Sequence, residues 1–100
     1  MDSYIISIHK TPAGLLVQSG TESFLISEKD FARLTRQRQT VPVRDQDGKS
    51  LSPGKYAATA GQMVRVYLQG QTVTIPVKCL TDRTGIKRVF LSSSLSCGVA

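Results

Sequence analysis

Lys29, Arg33 and Arg36 follow one another at spacings of four and three residues. On a helix these positions form one stripe, roughly opposite Phe31 and Leu34. No acidic residue occurs between Phe31 and Arg44, so the stripe suits phosphate oxygens or an acidic protein surface. Arg38 falls off the stripe and is expected in the loop leaving the helix. A second pair of cations, Arg65 and Lys78, brackets Tyr67 within MVRVYLQGQTVTIPVKCL, Met63 to Leu80. A ring flanked by cations on a sheet surface is one way to hold single-stranded nucleic acid, with bases stacked and phosphates neutralised. A third set, Arg83, Lys87 and Arg88, belongs to TDRTGIKR, which reads as a basic turn. Basic tips touch phosphate backbones, and as often only keep a sheet edge soluble. Each set has that plainer alternative: a solvated helix face, the outer side of a sheet, a soluble edge.

Other chemistry is poorly provided for. His9 is the only histidine; it falls in a strand pattern with no acid near it in sequence, and no GxSxG elbow accompanies the serines. GKS at Gly48 to Ser50 resembles the end of a phosphate-binding loop, but the first glycine of that motif would fall at Val43. DQDG, Asp45 to Gly48, lacks the later ligands of a calcium loop. Cys79 and Cys97 form no CxxC, and nothing completes a zinc site. No catalytic residue, metal site or cofactor is expected, and the reading is of a non-enzyme.

The bulk of the chain agrees with a small basic domain. One hundred residues with 40% hydrophobic and 20% charged content make one globular core, with a net charge of +6. The excess is uneven: residues 1–30 carry four acids and two bases, and residues 31–100 three acids and eleven bases. Such a balance favours polyanionic partners. The stretch MDSYIISIHK lacks the basic start and long apolar run of a secretory signal, and no apolar run approaches the length of a membrane span. A cytoplasmic protein with reduced thiols and no membrane partner is expected, with a Cys79–Cys97 bridge the alternative if the chain is a processed product.

These residues need elements to position them. SYIISIH, GLLVQS and SFLIS read as a three-stranded meander, turning at Thr11 to Gly14 and Ser19 to Glu22. In ISEKDF, Ser27 is a helix N-cap with Asp30 three residues on, and Ile26 and Phe31 form a hydrophobic staple. One helix is expected near residues 28–37, ending before Val41-Pro42. VPVR is a short strand, DQDGKSLSPGK is turn chemistry, and KYAATAGQ suits helix or strand. Placing Gly70-Gln71 as a two-residue hairpin loop pairs Leu68 with Val73, Val66 with Ile75 and Val64 with Val77 on one apolar face. Arg65, Tyr67, Thr74 and Lys78 then share the other. This register sets Pro76, which has no N–H, at a hydrogen-bonded position, a conflict that demands a bulge or another partner strand.

The expected fold class is α+β: a mostly antiparallel sheet or small partly open barrel of about six to seven strands, with one helix. Residues 1–92 form a single compact domain and 93–100 a flexible tail. The expected function is non-catalytic binding of nucleic acid, DNA or RNA, through Lys29, Arg33, Arg36, Arg38, Arg65, Tyr67, Lys78, Arg83, Lys87 and Arg88. The alternative is a protein-binding inhibitor or adaptor whose basic surfaces meet an acidic protein, for example a phage or mobile-element protein blocking a host nucleic-acid-processing complex. Homodimerisation through a strand edge is compatible with both.

Overall fold

The structure, a computed structural model, describes residues 3–81, 85–90 and 96–99. Its strands are β1 (Ser3–Thr11), β2 (Gly14–Ser19), β3 (Glu22–Ile26), β4 (Val41–Arg44), β5 (Leu51–Ala60), β6 (Met63–Leu68), β7 (Gln71–Pro76), β8 (Gly85–Phe90) and β9 (Ser96–Val99). Two short helices, α1 (Glu28–Thr35) and α2 (Val77–Thr81), follow β3 and β7. The described strands form one sheet in the order β7-β6-β5-β4-β3-β2-β1-β8-β9, with every neighbouring pair antiparallel. The sheet curls into a half-barrel, so that α2, which leaves β7 at one edge, packs against β9 at the other. The expected class holds, with more strands and one more helix than the sequence suggests.

The core follows the period of two. Ile6, Ile8, Leu15, Val17, Phe24, Val41, Val43, Ala57, Val64, Val66, Val73 and Ile75 fill the concave side. Helix α1 packs against β2, β4 and β5 and adds Phe31 and Leu34. Its start is built as the residues dictate: Ser27 Oγ accepts from Asp30 N at 3.2 Å, and Glu28 and Asp30 complement the helix dipole. Its far end is tied to the sheet by Thr59 Oγ1, which donates to Leu34 O at 2.6 Å.

Four expectations are corrected. The β6–β7 loop is Gln69-Gly70, which pairs Leu68 with Gln71, Val66 with Val73, Val64 with Ile75 and Met63 with Pro76. In this register hydrogen-bonded pairs fall at alternate positions from Leu68–Gln71, so Pro76 sits where no N–H is required. The next bond, Val77 N to Gln62 O at 2.9 Å, closes the ladder. The proline decides the register. Second, β7 ends at Pro76, and Val77, Lys78 and Cys79 belong to α2 rather than to the strand. Third, Ser52-Pro53-Gly54 is not a separate turn but an irregularity inside β5. Between Pro42↔Tyr56 and Arg44↔Leu51 the pairing advances two residues on β4 and five on β5. Gly54, at φ +73°, takes the left-handed conformation this bulge needs. Fourth, Cys79 is disulfide-bonded rather than reduced. The chain's other cysteine, Cys97, lies in β9, which the curl of the sheet brings against α2.

Part of the segment expected as a tail, Ser96–Val99, pairs along β8 as strand β9. No described helix is long and apolar enough to cross a membrane.

Candidate nucleic-acid interface

The outer face expected of the β6–β7 hairpin, with Arg65, Tyr67 and Thr74, belongs to the convex side of β4 to β7, and that side holds a second ring. Tyr56 of β5 stands directly opposite Tyr67 of β6. Their rings stack with centroids 4.7 Å apart at 24°. Tyr56 is 42% exposed and Tyr67 half-buried. Burial alternates along β6, so Val64, Val66 and Leu68 face the core while Arg65 and Tyr67 face outward. The rows on this face run across the sheet as Pro42–Tyr56–Tyr67–Thr72, then Ala58–Arg65–Thr74, then Ala60–Met63–Pro76. Arg65 is exposed and has no described partner. On the other flank, Arg44 lies between Leu25 and Leu51, and its Nε is buried without a hydrogen-bond partner.

Sequence reasoning missed Tyr56 because KYAATAGQ had no assigned element. The signal was present: Gly61-Gln62 is a glycine-containing two-residue loop, and counting back from it along both strands pairs Tyr56 with Tyr67.

Lys78 is not on this face. It lies on α2 and lines a groove of about 350 Å³ with Thr35, Arg38, Gly61, Gln62, Pro76, Val77 and Thr81. Arg38, forty residues distant in sequence, lines the same groove. Arg38, at φ 55°, is the only non-glycine with positive φ among the described residues. That conformation costs a side-chain-bearing residue about 1 kcal/mol. Arg38 Nη2 donates to Gly61 O at 3.0 Å, which steers the guanidinium over the β5–β6 turn. Lys78 is exposed and has no described ion-pair partner.

The helix stripe is only partly available. Arg33 Nη1 is 3.1 Å from Asp30 Oδ1, and its Nε donates to Gln39 Oε1 at 2.9 Å. Arg33 therefore fastens the buried Asp30 and the helix exit to each other. The Lys29 and Arg36 side chains are exposed. Arg83 lies outside the described residues. Lys87 and Arg88 are in strand β8, opposite Ile6 and Ile5, rather than in a turn, and their side chains lie outside the described residues.

One pairing resembles catalytic machinery: Ser7 Oγ is 2.6 Å from His9 Nε2. Both stand on the outer side of β1, and no described carboxylate bonds the other ring nitrogen. The dyad is the i, i+2 contact expected of neighbours on one strand face. No metal-holding group of His, Cys, Asp and Glu occurs among the described residues.

Compared with protein families, curated proteins and solved structures, the chain matches none.

Proposed function

We propose that the protein binds single-stranded nucleic acid without catalysis, on the convex face of β5 to β7. The observation that carries this reading is the Tyr56–Tyr67 stack, open to solvent on a sheet face with Arg65 in the adjoining row. Every base has a face that can stack on a ring, so such a platform holds strands with little sequence preference, and cations beside it neutralise phosphates. The net charge of +6 supplies the long-range attraction. Arg44, half-buried on the other flank beside Leu51, adds a further positive charge to the same side of the sheet.

The test is the double variant Tyr56→Ala/Tyr67→Ala, compared with the unaltered protein for a short single strand at physiological salt. Loss of about tenfold or more in affinity, with the fold retained by circular dichroism, is expected from removing one to two stacked bases. Unchanged affinity would refute the platform.

A second reading is a protein-binding inhibitor or adaptor. It is favoured by Ile5 and Ile86, which are 42% and 60% exposed and lie two register positions apart on the outer face of β1 and β8. A stoichiometric protein complex that survives nuclease and is lost in Ile86→Asp would select it; an uncomplexed monomer in native extract would count against it.

A further inference from the structure

The groove between the exit of α1, the β5–β6 turn and α2 is not needed for a strand to lie on the tyrosine platform, yet it has the charge and size of a site. Its described lining holds two cations, Arg38 and Lys78, and no acid. About 350 Å³ is at the small end of ligand pockets and fits a ligand of roughly one nucleotide. Arg38 is held there against its backbone preference, and the bond to Gly61 O uses one of its five N–H donors. The groove also adjoins the platform. Pro76, which lines it, is paired with Met63 in the last of these rows, and Met63 lies four residues along β6 from Tyr67, or about 13 Å.

From this we infer that the groove is a phosphomonoester site, taking the terminal phosphate of a strand whose bases lie on Tyr56 and Tyr67. Two cations match the charge of about −1.5 to −2 on a monoester, whereas each internal diester carries a single charge. Arg38 can present a planar fork to two phosphate oxygens, and Lys78, in the same lining, adds a point charge. Thr35 and Thr81 hydroxyls are each committed as donors, to Phe31 O and Lys78 O, and can only accept from a ligand. The specificity therefore rests on Arg38, Lys78 and Gln62. This inference depends on the reading of the convex face as a strand-binding surface.

The test uses the full chain and one short oligonucleotide carrying a 5′-phosphate, a 3′-phosphate or hydroxyls at both ends, measured by fluorescence anisotropy at physiological salt. Arg38→Gly suits the left-handed backbone and removes the guanidinium, and Lys78→Gln removes the second charge. One phosphorylated end is expected to bind about tenfold more tightly than the hydroxyl-ended strand, and this preference disappears in the double variant. Equal binding of all three strands, or a preference that survives the double variant, overturns the inference while leaving the platform intact. If no strand binds, the platform reading fails by itself. A nucleoside monophosphate and inorganic phosphate are then titrated while the amide resonances of Gly61, Gln62 and Val77 are followed. Saturable shifts that vanish in the double variant keep the phosphomonoester site, with a free nucleotide as its source; no shift overturns it.

Discussion

Removing Tyr67 should cost a bound strand more than it costs the fold. A base stacked on an aromatic ring contributes about 1–3 kcal/mol. The cross-strand contact of Tyr67 with Tyr56 contributes about 1 kcal/mol to folding. Tyr67→Ala is therefore expected to lower single-strand affinity several-fold or more while shifting the thermal midpoint by a few degrees, and Tyr67→Phe is expected to preserve both. Calorimetric melting beside an anisotropy titration separates the two effects. Arg65 should behave differently. It is exposed and contributes through charge, so Arg65→Ala is expected to weaken all strands nearly uniformly and to reduce the salt slope by about 0.7 to 1, with no change in melting. A sequence-selective loss on Arg65→Ala would mean that it reads bases instead.

At the scale of the element, the rings and cations are only as well placed as the turns that set register. The tightest of these positions is Gly14, at φ +139° at the start of β2. A Cβ there would lie 2.7 Å from Ser27 Cα and meet the Ile26 carbonyl, both backbone groups at the entry to α1. Gly14→Ala is expected to destabilise the protein by about 3 kcal/mol, measured by urea denaturation, through backbone strain and displacement of the helix start. Ser27→Ala at the cap of α1 is expected to cost about 1 kcal/mol in the same assay. Unaltered denaturation midpoints in both would show that α1 is not anchored as described.

The elements were legible in the sequence where one signal dominated. The first meander and the capped helix had alternation, turn residues and Ser27, with nothing opposing them. The β6–β7 hairpin was legible by face but not by register, because two loop placements bury nearly the same apolar set. Only the missing N–H of Pro76 separates them, and the same proline ends the strand and sends Lys78 and Cys79 into α2. Ser52-Pro53-Gly54 carries turn chemistry that a long strand absorbs as a bulge, which hid β5 and with it Tyr56. That Arg38 and Lys78 line one groove was not legible at all. It arises from the way α1, the β5–β6 turn and α2 gather at one end of the curled sheet, a tertiary effect with no local signature.

For the whole molecule, charge and curvature act together. The curl turns the outward rows of β4 to β7 into one convex face with the Arg38–Lys78 groove at its end. A strand following this track would meet Arg44, Arg65, Arg38 and Lys78. Neutralising about three to four phosphates on a single strand gives a slope of about −2 to −3 in log affinity against log salt. Duplex DNA keeps its base faces inside the stack and cannot use the tyrosines, so it should retain only the electrostatic part. A fluorescence anisotropy titration against single-stranded DNA, single-stranded RNA and duplex DNA, at low and at physiological salt, separates stacking on the tyrosines from bulk charge. Single-strand binding that persists at physiological salt, while duplex binding fades, is the expected result. Equal binding of all three at low salt and none at physiological salt would contradict it, and would reduce the basic surface to a non-specific attraction for polyanions.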